Sequence, residues 1–250
     1  MAVVLKSQDE IEKMRRAGRV VREVLELVRA NVKPGATTLD LERVAEARIA
    51  ALGAKPAFKG YHGYPCVLCT SVNSEVVHGI PSKKRVLKEG DIVSVDCGAV
   101  IDGYYGDAAI TVPVGAKISP EAEKLLRVTE ASLQAGIAVV RPGATLGDIG
   151  AAVQHVVEAE GFSVVRDFVG HGIGVQMHEE PQVPNFGEAG RGMKLRPGMV
   201  IAIEPMVNVG GPDVRVLKDG WTAVTDDGSM SAHFEHTVAV TDTGARILTE

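Results

Sequence analysis

The chain carries its own duplicate, and that constrains its fold more than any other feature. Lys33-Pro34-Gly35-Ala36-Thr37 recurs as Arg141-Pro142-Gly143-Ala144-Thr145, 108 positions further on. At the same spacing, LKEGDIVSVD from Leu87 to Asp96 returns as LRPGMVIAIE from Leu195 to Glu204. Both stretches read Leu-x-x-Gly-x-β-β-x-β-acid, where β is Val or Ile. One match could be chance, but two at one offset imply two halves of like architecture, about 7–112 and 119–240. Each half should end its key strand in a carboxylate. No low-complexity linker parts the halves, so residues 1–250 are expected to form one domain around a shared cleft.

The local signals repeat as well. Ser7-Gln8-Asp9-Glu10 is a capping box that opens a helix. Ile11, Met14, Gly18, Val21, Leu25 and Val28 then recur every three or four residues along one face. A second helix is expected to follow Thr38 and to stop near Gly53, a natural C-cap. In the other half, Ser119-Pro120-Glu121 places a cap and a first-turn proline before a third helix. A fourth should run from about Leu146 to Gly161, with Ile149, Val153 and Val156 inward. β-rich segments with Gly, Asp and Pro turns follow each helix pair. The fold class expected is α+β, with helices packed on one face of a mainly antiparallel sheet.

Charge and cysteine usage exclude several function classes. A formal charge of −5 and a pI near 5.8 offer no general attraction to nucleic acid or anionic lipid. The apolar start, Met1 to Leu5, is too short for a signal core or a membrane span, so a cytoplasmic location is expected. Three cysteines, an odd number without a framework, fit a reducing compartment. Cys66 and Cys69 form one Cys-x-x-Cys with no second pair, and are read as small buried hydrophobes.

The acids that end apolar strands carry the chemistry. Asp96 closes Ile92-Val93-Ser94-Val95, and a turn at Ile101-Asp102-Gly103 returns the chain as a second strand from Tyr104 to Val112. That hairpin brings Asp107 within a residue or two of Asp96. The repeat puts Glu204 where Asp96 sits, and Glu235 lies in a further β-like run, Phe234 to Val240, able to pair beside it. Two like charges 4 Å apart repel by roughly 4 kcal/mol at an effective dielectric of 20. Four converging carboxylates therefore need protons or cations, and two divalent ions balance them most simply. Oxygen donors with an imidazole suit manganese, iron, cobalt or zinc.

Seven histidines compete for the imidazole role. His155 falls off its helix's apolar face, and His236 points opposite to Glu235. His233 shares Glu235's face as a reserve ligand. His171 sits among glycines in Gly170-His171-Gly172-Ile173-Gly174, His178 precedes Glu179-Glu180-Pro181, and His78 lies in Val77-His78-Gly79-Ile80-Pro81. Taken singly, each reads as an ordinary loop or core histidine.

Taken together, the residues resemble the type I methionine aminopeptidases of the pita-bread fold family. GYHGYP at 60–65, VVHGIP at 76–81, DCGAVIDGYYGDAA at 96–109, GHGIG at 170–174, HEEP at 178–181, IEPM at 203–206 and FEHT at 234–237 occur in the family's order. The resemblance runs from about Ser7 to Leu248, and the family's pseudo-two-fold architecture matches the internal repeat. It implies that Asp96, Asp107, His171, Glu204 and Glu235 hold two divalent ions per chain, with Asp107 and Glu235 bridging them. It also implies a metal-activated water as nucleophile and a free α-amine as the substrate's handle. His178 and His78 would contact the scissile amide and the backbone beyond it, and Glu204 would shuttle a proton. Tyr61, Tyr64, Cys69 and Trp221 match the positions of the methionine pocket, with Met206 and Phe58 as further walls. Met177 stands where relatives often carry an aromatic residue. Asn73 and Ser231 match positions that hold a monovalent cation.

The activity so implied is removal of N-terminal methionine from peptides and nascent proteins. The expected enzyme is monomeric, and transient ribosome association is compatible with such a substrate. Two rivals remain open. A proline-selective peptidase of the same fold would carry a long extra N-terminal domain, whereas the capping box here begins at Ser7. A non-catalytic relative that binds peptides or proteins would be expected to lose ligands, whereas all five persist. A type II enzyme would need an insertion for which there is no room between Glu204 and Glu235.

Overall fold

The computed structural model describes residues 3–250; Met1 and Ala2, the start of the apolar N-terminal run, lie outside it. Four long helices carry the repeat: α1 (Gln8–Asn31), α2 (Thr38–Ala51), α3 (Pro120–Ala138) and α4 (Leu146–Ala159). The box at Ser7 closes in both directions: its hydroxyl accepts from the Glu10 N–H, and the Glu10 carboxylate accepts from the Ser7 N–H. All six residues expected along the inner face of α1 are buried. On α4 the inner face is Ile149, Val153 and Val157, whereas Val156 is only half-buried. A helix turn of 3.6 residues swings the stripe from i+3 to i+4 there, which a three-residue step misplaces by one.

The two recurring motifs in each half brace one another. The Gly35 N–H donates to the Leu87 carbonyl and the Leu87 N–H to the Ala36 carbonyl, both at 2.8 Å. In the second half Gly143 donates to Leu195 at 3.0 Å, and Leu195 to Ala144 at 2.7 Å. Thr37 caps α2 with Asp40, and Thr145 caps α4 with Asp148 in the same reciprocal box. Each half thus ties the start of its second helix to the approach of its acid-bearing strand.

A nine-stranded sheet of antiparallel pairs forms the centre, with Ile92–Ile101, Tyr104–Pro113, Glu235–Val240 and Val200–Ile203 side by side in that order. Leu68–Val72 and Lys55–Pro56 flank one side, and Gly170–Gly172 with Glu179–Val183 the other. Alternation divides the two faces. Val93, Val95, Cys97 and Ala99 turn toward α1 and α2 in one apolar core, together with Ala108 and Val112 of the next strand. Ile201, Ile203, Val238 and Val240 face α3 and α4 in the other. Each such side chain contributes roughly 1.5–3 kcal/mol by burial. The helices cover this face so closely that a Cβ on Gly106 would lie 2.6 Å from the Gly18 nitrogen of α1. The intervening residues, Asp96, Asp107 and Glu235 among them, are therefore turned to the opposite face.

Candidate metal centre and substrate pocket

Strand register places the acids. Asp96 pairs with Ala109, and Ala109 pairs with Glu235, so two acids lie in one cross-strand row with a methyl group between them. His236 pairs with Ile203, so one step further sets Glu204 alongside Glu235. Asp107 pairs with Gly98, diagonally from Asp96 on the same face. Asp107, His171 and Glu235 each offer a ligand atom within 4.8 Å of the others. The Nε2 of His171 lies 3.5 Å from Glu204 Oε1 and 3.9 Å from Asp107 Oδ2. Its Nδ1 lies 2.9 Å from the Gly172 carbonyl, a bond that needs the proton on Nδ1 and leaves Nε2 a lone pair aimed at the acids.

These groups are out of water and out of balance. Asp107, Glu235 and His171 are 3%, 2% and 7% exposed. Oδ1 of Asp96, Oδ1 of Asp107 and Oε1 of Glu235 are buried with no hydrogen-bond partner. No Lys or Arg is among the described residues lining the cavity. Burial pushes the Asp96 carboxyl up to about 7. Burial, then the charges of Glu235 and Asp96, pushes Asp107 well above the carboxylate range. Glu204 and Glu235 rise likewise, by burial first and neighbouring acids second. Burial drives His171 down to about 3, the nearby His178 adding to it, so its imidazole is neutral. Orphaned carboxylate oxygens facing a neutral, correctly oriented imidazole are the donor set of divalent cations, and the fit is good.

The acids floor a cavity of about 480 Å³. Tyr61, Tyr64, Cys69, Trp221, Phe58, Met206 and Met177 wall it, and His78 and His178 reach into it. Every residue expected to hold the divalent ions, to contact the scissile amide or to wall the methionine pocket lines this one space. The Tyr64 hydroxyl lies 2.9 Å from the Leu68 carbonyl and 3.0 Å from the Gly79 carbonyl, which share its one proton, and Trp221 meets its ring edge-on at 5.1 Å. The Tyr61 hydroxyl lies 2.7 Å from His178 Nδ1, and the His171 and His178 rings are 4.2 Å apart. His78 is driven down to about 4 by burial and His178, and meets the Phe168 edge at 5.4 Å.

Other expectations divide. His155 is exposed, and His236 turns away from the site to Thr249 at 2.9 Å. Cys69 is buried, but Cys66 is half-exposed beside Glu42, so only one thiol behaves as a core hydrophobe. His233 is no bystander: it is 1% exposed, lines the cavity, and its Nε2 lies 3.8 Å from Glu204 Oε2 without a hydrogen-bond partner. Asn73 and Ser231 are neighbours outside the cavity lining, the Ser231 N–H donating to the Asn73 carbonyl at 2.8 Å. His62, Val77, Phe168 and Val169 line the cavity without having been singled out. His62 and Val77 lie inside recognised motifs. Phe168 and Val169 precede the GHGIG run, and only their adjacency to it hinted at them.

The comparisons with known proteins agree with this geometry. Residues 12–242 match the metallopeptidase family M24. A methionine aminopeptidase of Clostridium acetobutylicum is 54% identical over 247 residues, covering 99% of this chain and 98% of that one. A methionine aminopeptidase structure from Thermotoga maritima superposes with a TM-score of 0.98 at 51% identity, over the whole of both chains. A prolidase from Pyrococcus horikoshii shares the fold alone, with a TM-score of 0.80 at 23% identity, covering 99% of this chain and 63% of the prolidase. The curled antiparallel sheet with its duplicated helix pairs is the pita-bread fold, and the chain belongs to metallopeptidase family M24, grouping within it with the methionine aminopeptidases.

Proposed function

We propose that this chain is a type I methionine aminopeptidase that hydrolyses the peptide bond after an N-terminal methionine. One observation carries the reading: buried carboxylates with unpartnered oxygens floor an apolar pocket of about 480 Å³ walled by Tyr64, Cys69, Phe58, Met177 and Trp221. Asp96, Asp107, His171, Glu204 and Glu235 would hold two divalent ions. When bound, such ions supply Lewis acidity toward the scissile carbonyl and a water of lowered pKa.

The protein's own groups do the rest. The apolar walls take a flexible thioether and exclude water from it. With the Tyr61 hydroxyl as donor in its 2.7 Å contact to His178 Nδ1, the proton of that ring would sit on Nε2, free to donate to the substrate amide. His78, neutral by burial, is available to the backbone beyond the scissile bond. Glu204, beside the ions, would take the proton released by the attacking water and pass it to the leaving amine. Both halves contribute to the centre, which supports reading residues 1–250 as one catalytic domain.

The substrates proposed are peptides and nascent proteins that begin with methionine, met in the cytoplasm by a monomeric enzyme, with ribosome association transient. No helix among the described residues is long and apolar enough to cross a membrane. Manganese, iron, cobalt and zinc are the candidate ions, and a monovalent cation near Asn73 and Ser231 rests on the family resemblance. The test is cleavage of Met-Ala-Ser against N-acetyl-Met-Ala-Ser and Ala-Pro-Ser, with chelated protein and with added manganese or cobalt. Metal-dependent release of methionine from the free-amine peptide alone is expected. Cleavage of the proline peptide alone would overturn the methionine reading, and no cleavage under any metal would overturn the enzymatic one.

A further inference from the structure

His178 and Met177 stand on the turn that links Gly170–Gly172 to Glu179–Val183. Glu179, the next residue, sends its carboxylate back into that turn. Its Oε1 accepts from the Val175 N–H at 2.8 Å and the Gln176 N–H at 3.1 Å. Its Oε2 pairs with the ammonium of Lys6, whose side chain is 4% exposed against 9% for Glu179. Lys6 arrives from the segment before α1, more than 170 residues away in sequence. Its N–H donates to the Gly198 carbonyl at 2.7 Å, and its Nζ also reaches the Val4 carbonyl at 3.1 Å. Room for the pair is made at Gly174, where a Cβ would lie 2.6 Å from Glu179 Oε1 and would collide with the Lys6 side chain.

A buried ion pair is a poor source of net stability, because desolvation offsets most of the attraction. Its two charges must nonetheless stay together, since either left alone would be buried unpaired. The pair therefore holds the turn in one arrangement. Tyr61 grips His178 from the opposite side, at Nδ1.

Resting on the peptidase reading above, we propose that Lys6 is a positioning residue for the reaction. Through Glu179 it fixes the turn that presents His178 to the scissile amide and Met177 to the methionine side chain. The segment before α1 is then a working part of the site.

The test uses metal-loaded full-length protein and compares Lys6→Met, Glu179→Gln and the double variant Lys6→Met/Glu179→Gln. Metal content, thermal midpoint, kcat, KM and the preference for methionine over leucine peptides are measured on each. Lys6→Met should lose at least about tenfold in kcat/KM and blunt the methionine preference, with metal content unchanged. The double variant removes both charges, so it should regain most of the thermal stability yet stay about tenfold slow. That separation of stability from rate is one a purely structural pair would not give. A folded, metal-loaded double variant with parental kcat/KM and parental preference overturns the proposal, even if Lys6→Met itself fails to fold. Hydrogen exchange of the Val175 and Gln176 amides supplies a readout that needs no turnover. Faster exchange in the double variant is expected, and unchanged exchange counts against the role. If the parent protein releases no methionine, the peptidase reading fails while this exchange arm still decides whether Lys6 orders the turn.

Discussion

The acids that make this site useful should make the metal-free protein weak, and Asp96→Asn measures by how much. Burial lifts the Asp96 carboxyl from 3.8 to about 7. A raised pKa in the fold means that the proton's stabilising contribution is complete below about 3.8 and is lost as pH rises through about 7. Above that, keeping the carboxylate ionised in place costs on the order of 4 kcal/mol, from about three pH units at roughly 1.4 kcal/mol each. At about pH 5.5 the cost is that of protonating the group, roughly 2 kcal/mol. Asn has the same shape and cannot ionise. In chelator, Asp96→Asn should therefore melt above the parent, by about 8–16 °C near pH 8 at roughly 2–4 °C per kcal/mol for a chain of this size. Near pH 5.5 the gap should fall by about half. Differential scanning calorimetry of parent and variant at the same pH cancels the buried histidines, whose lowered pKa values act in the opposite sense. Manganese should reverse the order, raising the parent and leaving the variant nearly unmoved. A variant that melts below the parent in chelator at pH 8, or a gap that does not widen from pH 5.5 to 8, refutes the reasoning.

Two further outcomes follow from the geometry. Gly106→Ala forces a Cβ to within 2.6 Å of the Gly18 nitrogen, where backbone must move, so it should cost about 3 kcal/mol and show as a lower denaturation midpoint with undiminished metal content. His78→Ala and His178→Ala should each slow methionine release by about 10²–10⁴-fold while metal content measured by emission spectroscopy stays at the parental level. Metal loss in the His178 variant would mean that its role has been exchanged with that of His171.

How much of this was legible depended on whether a residue advertises itself locally. The repeat located Asp96 and Glu204 because duplication copied a whole strand with its terminal acid. The Ile101-Asp102-Gly103 turn then fixed the register that sets Asp107 beside Asp96. The helix caps at Ser7 and Ser119 need only three or four consecutive residues and could be read directly, whereas the boxes at Thr37 and Thr145 are findings of the structure. The histidines were different. Neighbouring sequence makes His233 no more than a reserve ligand on Glu235's face and does not single out His171, which only motif order selects. The structure alone shows that His233 lies as deep, 3.8 Å from Glu204.

Lys6 marks the limit of such reading, and the reason is physical. In sequence it looks like a solvated residue before a helix, because nearly every lysine in that setting is one. What withdraws it from water is a partner 173 positions away and a glycine in a third segment that leaves space for its chain. Neither condition leaves a local periodicity or a motif. The same holds for Phe168, which shapes the cavity by meeting His78 edge-on across the fold. Residues that supply the chemistry are recognisable because the chemistry limits which types can serve. Residues that aim the chemistry are chosen by distance, and distance exists only after folding. The orphaned oxygens of Asp96, Asp107 and Glu235 lie between the two cases: sequence names the acids, but only the fold denies them water and so makes cations their natural partners.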